Sequence, residues 1–126
     1  MKCCIIGRRY TIFGYQGKQV RDNIHSYDLI QMFNEFYRAP RIAEVYNAGG
    51  SRFSNCSMME AITECEEITG NKMNYGYDEQ NRIGDHIWYV SDTSKFKEHF
   101  PSWKQKYDVT DILHQIFQAE VALMNK

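Results

Sequence analysis

The sequence predicts a single mixed α/β domain, because short strand patterns alternate with amphipathic helix patterns along all 126 residues. The clearest helix is "SMMEAITECEEITG", in which Ser57 and Glu60 form a capping box and a glycine follows the last turn. The clearest strand is "YTIF", which ends at a glycine-containing turn. No repeat, low-complexity tract or linker interrupts these patterns, so residues 1–126 are assigned to one domain.

The same signals place the other elements and their caps. Ser26 is predicted to be the N-cap of a helix that Pro40 stops, and Asp28 suits the positive end of that helix. Asp92 and Asp108 are predicted to open two later helices. The expected order is a helical turn at 1–6, strands at 10–13 and 20–26, a helix at 26–40, a strand at 44–50, a helix at 57–70, strands at 72–77 and 86–92, a short helix at 92–96 and a long helix from 108.

Composition excludes several classes of protein. Apolar residues make up 43% of the chain and aromatic residues 14%, which is enough for a hydrophobic core. The formal net charge of -1 argues against a nucleic-acid binder or a membrane-surface binder, because both carry a basic excess. No apolar run is long enough to span a membrane, and "MKCCIIGRRY" lacks the features of a signal peptide. A cytoplasmic location is therefore expected.

The four cysteines, Cys3, Cys4, Cys56 and Cys65, are predicted to be reduced structural thiols. Their spacing matches no zinc motif, and no histidine stands at a matching offset. A disulfide framework is the alternative, but a chain with this much apolar content does not depend on one. No metal site is predicted.

The motifs of catalysis and cofactor binding are absent from the sequence. Gly14 and Gly17 lie in a hairpin-like turn with no helix after it, and neither GxGxxG nor GxxxxGK[ST] occurs. GxSxG is absent, and no tyrosine has a lysine four residues later. The four histidines have no nucleophile at a recognisable spacing, so they are interpreted as satisfied or solvated. No catalytic residue and no cofactor-binding residue is assigned.

Candidate binding residues are easier to find. Arg21 follows a glycine-containing turn and Arg82 lies in "NRIGD", and two guanidiniums from separate loops can close on a diphosphate through forked hydrogen bonds. Asp85 is spaced to accept a hydrogen bond from a ribose hydroxyl, and Phe13 can stack on a base. The alternative is that Arg21 pairs with Asp22 or Asp85, that Arg82 is a solvated loop residue and that Phe13 is core.

Four blocks of sequence together resemble a known family. "YTIFGYQGKQVRDNIHSYDL", "EVYNAGG", "SNCSMMEA" and "NRIGDHIWYVSDTSKF" stand in the order seen in the C-terminal part of extended short-chain dehydrogenases/reductases that act on nucleotide sugars. "GYQGKQVRDNIHS" and "GGSRFSNCSMMEA" look most like the CDP-paratose 2-epimerase (CDP-tyvelose epimerase) group. The resemblance covers roughly residues 1 to 117.

The resemblance implies a fold and a role for five residues. The fold would be the small C-terminal substrate-binding domain of such an enzyme, without the Rossmann half. Arg21 and Arg82 match the arginines that contact the nucleotide diphosphate, and Asp85 matches the acidic residue near the ribose. Phe13 matches an aromatic residue against the base, and Asn55 falls near a polar residue that contacts the nucleotide.

The implied function is the nucleotide-diphosphate-sugar-binding portion of an NAD-dependent nucleotide-sugar epimerase. The NAD loop and the catalytic Tyr-x-x-x-Lys belong to the Rossmann half, so the chain is expected to be truncated, inactive alone and unable to bind NAD. Two alternatives stay open, a stand-alone non-enzymatic module that binds nucleotides or proteins, and one half of a split epimerase. Weak binding of the sugar nucleotide is expected. Self-association is expected through apolar stripes such as Leu29–Phe33–Phe36 and Ile112–Ile116.

Overall fold

Helices pack around two small sheets in the computed structural model, which describes residues 1–80 and 83–125. This confirms the mixed α/β fold class. The elements in chain order are α1 (Lys2–Ile6), β1 (Tyr10–Phe13), a 3₁₀ turn (Tyr15–Gly17), β2 (Val20–Asp22), α2 (Ser26–Arg38), β3 (Asn55–Ser57), α3 (Met58–Thr69), β4 (Tyr75–Asp78), β5 (Trp88–Tyr89), α4 (Ser94–His99) and α5 (Val109–Met124).

The two sheets are joined by the turn between β1 and β2. β1 and β4 form a parallel pair, with Phe13 opposite Asp78. The second sheet has the order β3-β2-β5, in which β2 is antiparallel to β3 and parallel to β5. Arg21 therefore lies in the central strand, opposite Cys56 on one side and Tyr89 on the other.

The capping signals of α3 and α5 are confirmed. The Ser57 hydroxyl accepts a hydrogen bond from the Glu60 backbone N–H, and the Glu60 carboxylate accepts one from the Ser57 N–H. Asp108 and Asp111 make the same reciprocal pair at the start of α5. Gly70 ends α3 in the left-handed conformation, with φ of 71°. These helix ends are fixed by residues within three positions of each other, which is why the sequence alone predicts them.

The start of α2 differs from the prediction. His25, not Ser26, is the N-cap, because its Nδ1 accepts a hydrogen bond from the Tyr27 backbone N–H at 3.1 Å. Asp28 is fully buried, and its two carboxylate oxygens accept hydrogen bonds from the N–H groups of Lys106 and Tyr107, both at 3.0 Å. Asp28 thus attaches the segment before α5 to α2.

A cluster of three buried aromatic residues and one buried methionine, the aromatic cluster, forms the core beside Asp28: Phe96, Phe100, Trp103 and Met32. The Trp103 indole N–H donates to the Asp28 carbonyl oxygen at 3.2 Å, so the cluster and the buried carboxylate form one unit. Ile24, Phe36 and Tyr46 pack against its edge. The cluster joins α2, α4 and the segment that follows α4.

The predicted strand at 44–50 is wrong, and so is the length of the strand at 20–26. Tyr46 packs on the aromatic cluster, and the Asn47 side chain donates to the Asp92 carbonyl oxygen at 3.1 Å, so this segment pairs with no described strand. The antiparallel partner of β2 is β3, which the sequence did not predict. Asp92 lies one residue before the N-cap Thr93, and its Oδ1 accepts from the Ser94 N–H at 2.9 Å.

Apolar residues remain exposed on the outer side of α2. Ile30 is 58% exposed, Phe33 59% and Tyr37 84%. α5 contains no fully buried residue in its described length. Within the described part of the chain, no helix combines the length and apolarity that crossing a bilayer requires.

Candidate functional site

The structure brings Arg21 and Asp85 together. The Arg21 Nη2 lies 2.5 Å from the Asp85 Oδ1 and also donates to the His86 carbonyl oxygen, while Nη1 donates to the Val20 carbonyl oxygen at 2.7 Å. The side chains of Arg21 and Asp85 are 33% and 24% exposed. Of the two partners that the sequence left open for Arg21, the structure therefore selects Asp85. The pair holds the guanidinium in a fixed orientation at a partly exposed surface.

Strand pairing positions this pair. The Val20 N–H donates to the Ile87 carbonyl oxygen at 2.9 Å, which attaches the segment before β5 to the start of β2. The His86 ring is stacked near the Tyr89 ring, with centroids 6.3 Å apart. Asp85 therefore approaches Arg21 because β5 runs parallel to β2 and its preceding loop reaches the same end of the sheet.

Cys56, opposite Arg21 in β3, is not set up as a nucleophile. Burial is the main cause that raises the pKa of the Cys56 thiol, and the nearby Glu60 carboxylate raises it further. A raised pKa keeps the sulfur protonated near neutral pH, and the thiolate is the reactive form. All four cysteines are free thiols.

Asn55 does not join the Arg21–Asp85 pair. Asn55 is opposite Asp22 in the register, and side chains of neighbouring strand residues point to opposite faces, so Asn55 and Arg21 lie on opposite faces of the sheet. The Asn55 side-chain N–H₂ donates to the carbonyl oxygens of Ser51 at 3.2 Å and Arg52 at 3.1 Å. Its observed contacts stabilise the 51–55 loop.

A cavity of about 880 Å³ lies on the Asn55 face. Its walls come from the loop before β3 and from the segment between β5 and α4, and they include Arg52, Asn55, Trp88, Asp92, Thr93 and Lys97. The cavity therefore lies on the face of the sheet opposite to Arg21 and is separate from the Arg21–Asp85 pair.

Asp22 is an organising residue that the sequence analysis missed. Its Oδ2 accepts hydrogen bonds from the backbone N–H groups of Ser51 at 2.9 Å and Ser91 at 3.0 Å, so one carboxylate oxygen joins both walls of the cavity. Gly49 fits only because it lacks a side chain, since a Cβ there would lie 2.4 Å from that same oxygen. No local pattern around "VRD" signals these contacts.

The sequence also predicts Arg82 and Phe13 as contacts of the nucleotide. Arg82 lies outside the described residues. Phe13 stands at the end of β1 with 38% of its surface exposed, and its carbonyl oxygen accepts a hydrogen bond from the Gln19 side chain at 3.3 Å. Its position at the end of the strand agrees with a surface that a base can approach.

The described residues do not fit the NAD that the family resemblance implies for a full-length enzyme. Gly14 and Gly17 flank a 3₁₀ turn that leads into strand β2, not into a helix whose N-terminus can face a pyrophosphate. Gly49 and Gly50 are packed against protein, since a Cβ on Gly50 would lie 2.1 Å from the Ser54 carbonyl oxygen. The first pair therefore lacks a helix N-terminus to face a pyrophosphate, and the second leaves no space for one.

Comparisons with known proteins give a consistent fold. No family model matches the chain, and no curated protein matches it. Among solved structures, it is similar to UDP-glucuronic acid 4-epimerase from Bacillus cereus in complex with UDP-glucuronic acid and NAD, with a TM-score of 0.78 and 24% identity over 89% of this chain and 35% of that one. It is also similar to UDP-glucose-4-epimerase from Stenotrophomonas maltophila with bound NAD and formylated UDP-arabinopyranose, with a TM-score of 0.81 and 24% identity over 98% of this chain and 38% of that one.

A dehydratase shares the same architecture. The match to dTDP-glucose 4,6-dehydratase from Bacillus anthracis in complex with NAD has a TM-score of 0.75 and 23% identity over 93% of this chain and 36% of that one. At these identities the likeness establishes the fold alone: this chain has the architecture of one part of each of these solved enzymes. It spans little more than a third of the length of those enzymes.

Proposed function

We propose that this chain is the nucleotide-diphosphate-sugar-binding portion of an NAD-dependent nucleotide-sugar epimerase. The observation that carries the proposal is the partly exposed Arg21–Asp85 pair between β2 and the loop before β5, in a fold shared with epimerases solved with UDP-sugars. The resemblance of "GYQGKQVRDNIHS" to CDP-paratose 2-epimerases, together with the likeness to epimerases solved with UDP-sugars, makes a cytidine diphosphate and a uridine diphosphate the two candidate ligands.

The geometry of Arg21 supports contact with a phosphate. A guanidinium has five N–H donors, and the three contacts to Val20, Asp85 and His86 use three of them. The remaining donors are the proposed contacts for a phosphate oxygen, because arginine forms charge-assisted hydrogen bonds to phosphate readily. Asp85 offsets the charge of Arg21, so we expect the attraction to be moderate and the binding weak.

The other predicted contacts complete the proposed site. Arg82 is proposed as the second diphosphate contact and Phe13 as the aromatic contact of the base. Asp85 is proposed to accept from a ribose hydroxyl through carboxylate capacity beyond its bond to Arg21. Asn55 is proposed to act on the nucleotide only through the loop it stabilises, because its side chain is on the other face of the sheet.

The chemistry of epimerisation is proposed to need residues outside this chain. The glycine loop and the Tyr-x-x-x-Lys pair are absent from the sequence, and the described glycines do not fit a dinucleotide. We expect no saturable binding of NAD in calorimetry. A separate Rossmann half that restores activity when mixed with this chain would favour the split-enzyme alternative.

The direct test is a titration of ¹⁵N-labelled chain with CDP and with UDP, followed by amide shifts. We expect saturable shifts at the ends of β1 and β2, and Arg21→Ala should weaken binding roughly 10-fold or more, as expected for one charge-assisted contact. Arg52→Ala is the matched control, because Arg52 lines the cavity on the opposite face. Equal weakening by both substitutions, or no saturable shift with either nucleotide, would contradict the proposal.

A further inference from the structure

The turn between β1 and β2 has an uncommon backbone. Four consecutive residues have positive φ angles: Gly14 at 63°, Tyr15 at 48°, Gln16 at 52° and Gly17 at 74°. Glycine adopts such angles freely, but a tyrosine there is uncommon and costs conformational energy. Such cost is retained where surrounding contacts over-determine the conformation, so the contacts of the Tyr15 side chain are informative.

Tyr15 reaches the loop that carries Asp85. Its phenol O–H donates to the Asp85 backbone carbonyl oxygen at 3.3 Å, across 70 positions of sequence. The Asp85 carboxylate in turn meets the Arg21 guanidinium at 2.5 Å. One residue therefore has its backbone held by Tyr15 and its side chain held by Arg21.

The turn itself is attached on both sides, so Tyr15 has a fixed base. The Gly14 N–H donates to the Asp78 carbonyl oxygen at 2.8 Å, which ties the turn to the end of β4. Gly17 is packed closely, since a Cβ there would lie 3.0 Å from the Met59 side chain. The phenol thus extends from an anchored turn to the loop before β5.

We propose that Tyr15 is a positioning residue for the Arg21–Asp85 pair. Its hydroxyl fixes the Asp85 backbone so that the carboxylate meets Arg21 and leaves the guanidinium oriented for a ligand. The part of this proposal that concerns ligand affinity rests on the function proposed above. The part that concerns the orientation of Arg21 holds in the protein without ligand.

The test uses Tyr15→Phe, which removes the hydroxyl and keeps the ring. Tyr77→Phe is the matched control, because the Tyr77 hydroxyl contacts the Met59 sulfur, and Tyr15 and Tyr77 both line a cleft of about 660 Å³ beside the turn. In Tyr15→Phe we expect the chemical shift of the Arg21 Nε–H to change and the Arg21 side chain to become more mobile. The melting temperature should be nearly unchanged. CDP affinity should fall roughly 3- to 10-fold, the range expected for one neutral hydrogen bond. Tyr77→Phe should change neither the chemical shift of the Arg21 Nε–H nor the CDP affinity.

A second variant separates the hydroxyl from the turn. Gln16→Gly relieves a positive φ without touching the phenol, so it should raise the melting temperature and leave the Arg21 resonance in place. An unchanged Arg21 resonance in Tyr15→Phe would overturn the positioning role, and so would an equal shift in Gln16→Gly. If the unmodified chain binds neither CDP nor UDP, the proposed function fails, while the Arg21 resonance still decides the role of Tyr15.

Discussion

Asp28 and Asp85 hold the same functional group in two different surroundings. Asp28 is fully buried, and its carboxylate oxygens accept from two backbone N–H groups. Asp85 keeps 24% of its side chain exposed and pairs with Arg21. A buried anion depends on its partners because water cannot replace them, whereas an exposed pair can exchange partners with a ligand. Burial, not residue type, makes one carboxylate structural and the other available.

The regions around these two residues differ in the same way. Beside Asp28, Phe96 stacks on Phe100 at 4.6 Å and meets Trp103 edge-on at 5.5 Å. Near Asp85, Tyr89 lies opposite Arg21 in the two-residue strand β5 and is 54% exposed. We therefore expect the aromatic cluster to contribute most of the free energy of unfolding. The surface around Arg21 and Asp85 is expected to bind the nucleotide.

The largest effect is expected in the aromatic cluster. Phe96→Ala should lower the free energy of unfolding by about 3–5 kcal/mol, because it opens a cavity among packed rings. Phe33→Ala is the control, since Phe33 is 59% exposed on the outer side of α2. Urea unfolding followed by circular dichroism measures both. Similar losses in the two variants would break the distinction between the regions.

Asp28→Asn should have the next largest effect. An amide has one oxygen to accept from Lys106 or Tyr107, and its N–H₂ group would face the other backbone donor. We expect a loss of about 2–3 kcal/mol in the free energy of unfolding. Chemical denaturation at pH 7 tests this, and a loss below about 0.5 kcal/mol would show that the segment before α5 is held by other contacts.

Asp85→Asn is the matched substitution in the partly exposed Arg21–Asp85 pair. The Tyr15 contact goes to the backbone oxygen and stays, and only the charge of the pair with Arg21 is removed. We expect a loss of about 0.5 kcal/mol or less, reduced further by salt. Thermal melts at low and high ionic strength measure it. A loss as large as that of Asp28→Asn would show that the two carboxylates stabilise the fold equally, against the distinction drawn between them.

The smallest effect is expected from acid titration at the surface. The Lys72 ammonium, followed by the Met73 backbone N–H, lowers the pKa of Glu66 below its ordinary value of 4.5. A lowered folded-state pKa stabilises the protein at pH values above 4.5, and this contribution is lost as the pH falls through the lowered pKa. Glu66→Gln should therefore melt slightly below the unmodified chain at pH 7 and equally at low pH. A difference that grows in acid would contradict this assignment.

Local signals in the sequence were sufficient for part of the fold. The capping box of α3, the N-cap Asp108 of α5 and the glycines that end α1 and α3 depend on residues a few positions apart, and all were predicted correctly. The sequence also singled out Arg21 and Asp85, but it left the partner of Arg21 open between Asp22 and Asp85. In the fold, Asp22 instead accepts from Ser51 and Ser91.

Local signals failed where long-range contacts decide the outcome. The segment at 44–50 has the β-branched and aromatic residues of a strand, but Tyr46 is drawn into the aromatic cluster. Ser26 is an ordinary N-cap residue, but the chain enters α2 one residue earlier and His25 accepts the hydrogen bond.

By itself, the sequence determined the class of the fold, the two ends of α3, the start of α5 and the residue types that suit a diphosphate. Only the tertiary structure decided which of those residues share a surface. It put Arg21 beside Asp85 and Asn55 on the opposite face, buried Asp28, and set Tyr15 against the Asp85 backbone. The physical reason is that a helix cap is made within one turn of chain, whereas these contacts join residues separated by dozens of positions and exist only when the sheets and helices have packed.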